Sequence, residues 1–527
     1  MRTGLILFGA LALVASSACI AATGAAQAGG ARRLSRAVLE DKVRGGWAGQ
    51  MIGVSYGAAT EFKAMGKTFD GEIKWWPEMV KDSLQQDDLY VEMTFAEVMD
   101  TVGLDATAKQ YGEMFTNSRY QLWHANAGAR RLLNHGISAP QSGEPQFNVH
   151  ADDIDFQIES DFIGLMSPGL PQESNKYANR VGRVMNAGDG LYGGMFFGAM
   201  YAAAYFETDP RQVVEQGLRA IPAASGYGRI IRDTLDWSAQ HPDDWRKTWQ
   251  LLEDKWNKDD VCPDGALSSF NIDAKLNGAY VALGLLYGGK DVGRTMEVAA
   301  RSGQDSDCNP SSAAGILGVM IGYDKIPALY RSGIPAMADL KFEFTNYSFN
   351  SIVASTMVRA EKVIASAGGT VTSSEVVIPA QAPTAPPLEQ WNAGVPLKRV
   401  AITDPVWTWT GGWTTETVQN EAAPYPRNVR RSAKAGDEAT VTFDGTGVVI
   451  AGTYSQAGGR ADVYLDGAKA GTIDAWIPAR TYDTDLFHVM GLAPGPHRLR
   501  LVTLGDADMR STGKTMEVVG AVVYGKK

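Results

Sequence analysis

Two aspartates separated by one small residue, Asp305-Ser306-Asp307, lie in the stretch GQDSDCNPSSAAGILGVMIG that runs from Gly303 to Gly322. A second acidic pair, Asp87-Asp88, is adjacent in the run QQDDLYVEM, with Glu92 four residues beyond Asp88. Neighbouring carboxylates repel, so such pairs in otherwise apolar segments require either solvent or a cation. Hard oxygen donors at this density suit magnesium or calcium rather than zinc. A third concentration, VHADDIDFQIESDF, carries Asp152, Asp153, Asp155, Glu159 and Asp161 among Ile154, Phe156, Ile158 and Phe162. Asn186 and Asp189 follow in NAGDGLYGG, and Asp273, Lys275 and Asn277 in NIDAKLNGAY.

The elements that must position these acids carry their own signature. Asn309-Pro310 reads as a helix cap and first helical residue, so a helix is expected to begin there. Ala314, Gly318 and Gly322 then leave one of its faces without side chains. The run from Ser35 opens with a cap and repeats glycine at 45, 49, 53 and 57, with Glu61 one turn further on. Glycine within a helix costs roughly 0.5–1 kcal/mol against alanine, so four on one face imply close backbone packing. Gly190, Gly194 and Gly198 repeat the device behind Asp189. Three such helices packed tightly would bring their terminal acids together.

Residues 29–370 read as one all-α domain, because apolar residues recur with helical rather than strand period. The segment 371–396 is rich in Pro, Ala, Thr and Ser without a sustained period, and is expected to be a linker. From 397 to 527 short alternating runs separated by Asp466-Gly467 and Pro494-Gly495 predict an all-β sandwich. Trp407, Trp409, Trp413 and Trp476 in that module either form a sugar platform or fill its core. Trp75-Trp76-Pro77 poses the same choice in the first domain.

The chain has 527 residues and a net charge of -10, which gives no electrostatic case for nucleic acid as a partner. Residues 1–28 combine Arg2, an apolar run from Leu5 to Val14 and Ala26-Gln27-Ala28, the pattern of a cleavable export signal. A lipoprotein reading through Cys19 fits less well, since Ser16 stands where a large aliphatic residue belongs. No other stretch is apolar for long enough to span a bilayer, so the expected location is secreted or periplasmic. Cys262 and Cys308 are then left as a disulfide or as two free thiols.

In order and spacing these clusters resemble the ADP-ribosylglycohydrolase family, over roughly Leu39 to Tyr330. Its glycine-stepped opening helix followed by an acid is matched by Gly45 to Glu61, its Thr-Asp-Asp-Thr by Gln86 to Leu89, and its G-x-D-T-D-T by Gly303 to Cys308. Both threonines of the first motif are thus replaced, by Gln86 and Leu89, and the last threonine of the second is Cys308. The resemblance implies one or two divalent cations, Mg2+ or Ca2+, held by Gln86, Asp87, Asp88, Asp305 and Asp307. Glu61 and Asp88 are the implied catalytic carboxylates in hydrolysis of an N- or O-glycosidic bond. Asp153, Asp155, Glu159, Asn186, Asp189, Asp273 and Trp75 are the candidate substrate contacts, and Asp153, Asp155 and Asp189 the candidate acids for the leaving group. Export and the β module direct the expectation to a furanosyl sugar, ribosyl or arabinosyl, in an extracellular glycan. An ADP-ribosyl hydrolase and a non-catalytic glycan-binding protein are the alternatives.

Overall fold

The computed structural model describes residues 30–257, 260–389, 391, 394–418, 427–481 and 484–526, so the expected export segment lies outside the described residues. Helices build the first domain and antiparallel strands the second. Among the described residues no helix is long and apolar enough to cross a membrane.

The organising contact is an antiparallel pair of helices, Arg36–Gly57 and Cys308–Ile321. The Ser35 side chain caps the first by accepting from the Val38 amide. A Cβ added at Gly45, Gly49, Gly53 or Gly57 would sit 2.2, 2.1, 2.1 or 2.0 Å from the carbonyl oxygen of Gly318, Ala314, Pro310 or Ser306. The two backbones therefore touch over the whole seam, which explains why the sequence accepts the intrinsic penalty of four helical glycines. At the far end the Lys42 ammonium donates to the carbonyls of Val319 and Met320, which the helix terminus leaves open. The second helix starts at Cys308, not at Pro310, because Asp307 occupies the cap and Pro310 falls within the first turn. The third glycine series behaves differently: Gly190 faces the Ala151 carbonyl and the Asn186 side chain, Gly194 the Phe156 ring and Gly198 the Ser174 hydroxyl, so it admits mostly side chains rather than one continuous backbone.

Around the pair, the helices Gly188–Ala204 and Ala274–Gly288 are buried nearly all round. Trp47 is wholly buried and its indole N–H donates to Thr356 Oγ1 at 3.0 Å. The domain also holds a small antiparallel sheet in which Glu375–Ile378 pairs with both Arg32–Ser35 and Thr370–Val371. Part of the expected linker is thus structural. Its strand is only four residues long and its partner is distant in sequence, so no local period betrays it.

The second domain is two packed sheets. One orders the strands Ala468–Asp474, Arg460–Leu465, Gly495–Thr503, Glu438–Gly445 and Trp407–Thr410; the other runs Thr484–Val489, Gly447–Gly452, Met516–Gly525, Arg427–Ser432 and Thr414–Val418, with Val395–Ala401 added to Met516–Gly525. Alternate residues Ala439, Val441 and Phe443 meet Val448, Ile450 and Val518 in the core between them. Trp407 and Trp476 are buried, while Trp409 and Trp413 are half-buried. Trp407 stacks on Trp409, which also carries the Arg430 guanidinium at 4.6 Å.

The domains are docked through a buried ion pair and an apolar patch. Arg131 Nη1 lies 2.6 Å from Asp485 Oδ1, and both side chains are buried. Val149 and Ala266 of the first domain pack with Val449, Val522 and Tyr524 of the second. Tyr524 donates its hydroxyl to the Val261 carbonyl at 2.9 Å, and Arg399 donates to the carbonyls of Pro263, Asp264 and Ala266.

Candidate functional site

The glycine seam determines where the acids go. Because the two helices run antiparallel, the end of Arg36–Gly57 meets the start of Cys308–Ile321, and Thr60 Oγ1 lies 2.8 Å from Ser306 Oγ. The chain beyond Thr60 is laced to the approach of the second helix: Phe62 N donates to Gln304 O at 3.1 Å and Gln304 N to Ala64 O at 2.9 Å. Phe62 and Gln304 both carry positive φ, 49° and 55°. Gly303, at φ +86°, would place a Cβ 2.2 Å from the Ala64 carbonyl, so glycine is required on both counts. Left-handed backbone at non-glycine positions is a cost that tends to persist where function demands it.

Against this corner the helix Asp87–Thr101 delivers its first turn. Cys308 Sγ donates to Asp88 Oδ1 at 2.9 Å. Asp305, Asp307 and Cys308 each offer a donor atom within 4.8 Å of one another. Asp87, Asp88, Asp305, Asp307 and Glu61 are thereby gathered from three separated segments. Glu61 is open to solvent, whereas Asp88, Asp305 and Asp307 are buried.

The electrostatics follow from crowding like charges in a poorly hydrated corner. Burial and then Asp87 push Asp88 up to about 8. Burial and then Asp88 raise Asp307 to about 7. Asp305 is held well above the usual carboxylate range by burial and then by Asp307, and burial also raises Asp87. Glu61 has an exposed surface but a crowded setting, so partial desolvation, then Asp307 and Asp87, lift it to about 8. Among the described residues none of the four aspartates has a lysine or arginine ion-pair partner. Asp88 Oδ2 and Asp307 Oδ1 are buried without any hydrogen-bond partner. Orphaned carboxylate oxygens in one buried cluster of acids fit a hard divalent cation, since burying uncompensated charge is otherwise costly.

The other predicted site residues divide. Gln86 spends its amide nitrogen on Asp82 Oδ2 at 2.7 Å. Glu159 is buried beside Asp87 and Asp88, accepts from Asn126 Nδ2 and keeps one oxygen unpartnered. Asp155 instead caps the helix His124–Asn134, accepting from the amides of Ala125 and Asn126 at 3.1 and 3.0 Å. Asn186 is a brace whose side chain binds Phe156 N and the carbonyls of Ala151 and Asp153. Asp273 caps Ala274–Gly288 and pairs with Lys275. Asp189 neighbours Asp152 and Lys275, and its carboxyl is raised chiefly by burial. Trp75 is half-buried between Tyr56 and Tyr330, its indole N–H bonded to Leu329 O. Asp153 lies in a separate group with His124, His150, Cys262 and Asp264. Cys262 and Cys308 are both free thiols.

Asp161 stands out in the sequence as one acid of the 152–161 run but carries no expected site role. Its carboxylate accepts from Tyr201 at 2.7 Å, and it raises the neighbouring Glu92 and Asp88. The apolar residues flanking Asp161 were the available signal, because an acid in such a run is buried and must be compensated.

Residues 35–349 match the family model described as ADP-ribosylglycohydrolase. A curated relative, "A type blood N-acetyl-alpha-D-galactosamine deacetylase" of Flavonifractor plautii, is 32% identical over 146 residues, which are 27% of this chain. The chain spans 17% of that relative's length. Among solved structures, an "ADP-ribosylglycohydrolase-related protein complex" is 13% identical, with a TM-score of 0.40 and coverage of 62% of this chain and 99% of that one. A two-domain esterase active on acetylated mannans is 12% identical with a TM-score of 0.21, covering 34% of this chain and 47% of its own.

Proposed function

The chain belongs to the ADP-ribosylglycohydrolase family, and from that premise we propose that it is an exported, metal-dependent glycoside hydrolase acting on a furanosyl residue of an extracellular glycan. The observation that carries the reading is the meeting of Glu61, Asp87, Asp88, Asp305 and Asp307 in one corner with orphaned carboxylate oxygens and no lysine or arginine partner among the described residues. The deacetylase relative, named for an amino-sugar substrate, favours a carbohydrate over a protein-linked nucleotide.

Asp87, Asp88, Asp305 and Asp307 would hold Mg2+ or Ca2+. When bound, the cation supplies Lewis-acid polarisation and a grip on vicinal sugar hydroxyls. The chain's own residues do the rest. Glu61 is the solvent-facing member, and a carboxyl near 8 in a crowded setting is suited to exchange a proton at neutral pH. The Cys308 thiol stands where the family has a threonine hydroxyl and donates to Asp88 Oδ1, so it fixes that carboxylate's orientation and leaves Oδ2 buried without a hydrogen-bond partner. The Phe62 and Phe270 rings, 5.1 Å apart, wall the corner on the side of Glu61.

Release of sugar from a panel of ribosyl and arabinosyl glycosides tests this directly. Glu61→Gln is expected to lower kcat by roughly 10²–10⁴-fold with little change in fold, and Asp305→Asn to abolish turnover together with magnesium binding. A magnesium-loaded wild type that hydrolyses none of the panel would defeat the reaction assigned.

A further inference from the structure

About the Val261–Ala266 loop, a second group of donors converges that the carboxylate corner does not use. His124, His150, Cys262 and Asp264 each present one ligand atom, and all four lie within 4.8 Å of one another. Cys262 Sγ is 3.4 Å from His150 Nδ1, and His124 Nδ1 is 3.1 Å from Asp264 Oδ2. Zinc binds nitrogen at about 2.0 Å and thiolate at about 2.3 Å, so donors around one tetrahedral ion stand roughly 3.3–3.8 Å apart. The spacing here is of that order. Asp153 Oδ2 lies 2.9 Å from the same His150 Nδ1 and 3.1 Å from Cys262 Sγ, so in the metal-free protein it takes the hydrogen bonds that these two donors would give up on ligation.

The positions are built from several directions. His124 opens the helix that Asp155 caps. His150 is buried, its amide bonded to Asn148 Oδ1. Cys262 is held by its own amide donating to Asp260 Oδ1 at 2.9 Å, and by its carbonyl accepting from Ala266. Arg399 and Tyr524 of the β module grip the backbone of this same loop.

A cysteine–histidine–aspartate relay is the competing use of these residues. Such a relay needs two different imidazole nitrogens, one for the nucleophile and one for the carboxylate. Here the single Nδ1 of His150 faces both Cys262 and Asp153, and the thiol is buried. Convergence upon a point, rather than a chain, is the geometry of ligation.

We propose that His124, His150, Cys262 and Asp264 form a binding site for a zinc-class divalent transition metal that clamps the Val261–Ala266 loop between the helical domain and the β module. Imidazole and thiolate donors select such an ion over magnesium, as the all-oxygen corner does the reverse. Binding requires the Cys262 thiol to lose its proton to solvent. The site stands whether or not the carboxylate corner hydrolyses a glycoside.

The test uses the whole chain, stripped by chelator and titrated with Co2+ in excess Mg2+ so that the carboxylate corner is filled. One equivalent of Co2+ with a thiolate-to-cobalt charge-transfer band and intense tetrahedral d–d absorption is expected, both displaced by Zn2+. Cys262→Ser should remove the charge-transfer band, while Cys308→Ser and Asp305→Asn retain it. If Cys262→Ser fails to fold, His124→Gln serves instead: it should keep the thiolate band but weaken Co2+ binding at least tenfold. No thiolate band in the wild type would overturn the proposal and leave the group an ion-pair network only. A band lost with Cys308→Ser but not with Cys262→Ser would overturn it equally.

Discussion

The carboxylate corner and the histidine–cysteine group are neighbours, joined through the Phe62, Phe270 and His124 rings, yet they are built in opposite ways. The corner rests on two backbones in contact, with no side chain in the seam that could adjust. The group rests on the seam between two domains, where Arg131, Asp485, Arg399 and Tyr524 supply long and directional contacts. One arrangement is rigid because little lies between its parts; the other is specific because several polar groups must be satisfied at once.

The largest effect should come from breaking the first kind of construction. Gly53→Val would drive a side chain into the Pro310 carbonyl, 2.1 Å from the first added atom, with backbone on both sides and nothing flexible to yield. We expect a loss above about 4–5 kcal/mol, the range reserved for severe core lesions, seen as an absent cooperative transition for the helical domain.

Arg131→Leu attacks the second construction. It leaves Asp485 buried without its guanidinium, and removing one partner of such a pair costs roughly 3–5 kcal/mol. The helical domain should keep its own melting transition while protease gains access to the 379–389 connection. The carboxyl of Asp485 is held well below the usual range against burial, first by Arg131. Its stabilising contribution is therefore full above the unfolded value near 4 and is lost only as pH falls further toward the depressed native value.

A smaller effect separates the corner with and without its ion. In the metal-free protein Asp88 and Asp307 sit at about 8 and about 7, above the roughly 3.9 of an unfolded aspartate. The native state then holds protons that the unfolded chain has released, so stability is greatest below pH 4 for these groups and falls as pH rises to 8. Magnesium at 100 times its dissociation constant should restore about 2.7 kcal/mol at pH 8, read as a shift in Tm that Asp305→Asn abolishes. Least of all, Trp409→Ala should cost the β module about 0.5–1.5 kcal/mol through lost stacking on Trp407.

These contrasts also explain what the sequence disclosed. Glycines at 45, 49, 53 and 57 and small residues opposite them mark a local repeat, so the helix pair and the acids at its mouth are legible from spacing alone. The acids between 152 and 161 are not, because their fates depend on distant partners: Asp155 meets the amides of a helix start, Asp161 meets Tyr201, and Asp153 meets His150 and Cys262. His124, His150 and Asp264 have no shared spacing at all, since a helix start and two loops bring them together. The tryptophans of the β module are equally silent, as alternation puts Trp407 and Trp409 on one face without saying how deep that face lies.

The pairing of Arg32–Ser35 with Glu375–Ile378 has a consequence for engineering. It sets the entry and exit of the helical domain side by side, like the two cords of a drawstring purse. A circular permutant that bridges residues 32 and 378 by a short glycine–serine bridge, and opens the chain at an exposed tip such as Gly136, should therefore retain its architecture. The same closeness makes the domain a cassette that a host protein can accept within a surface turn.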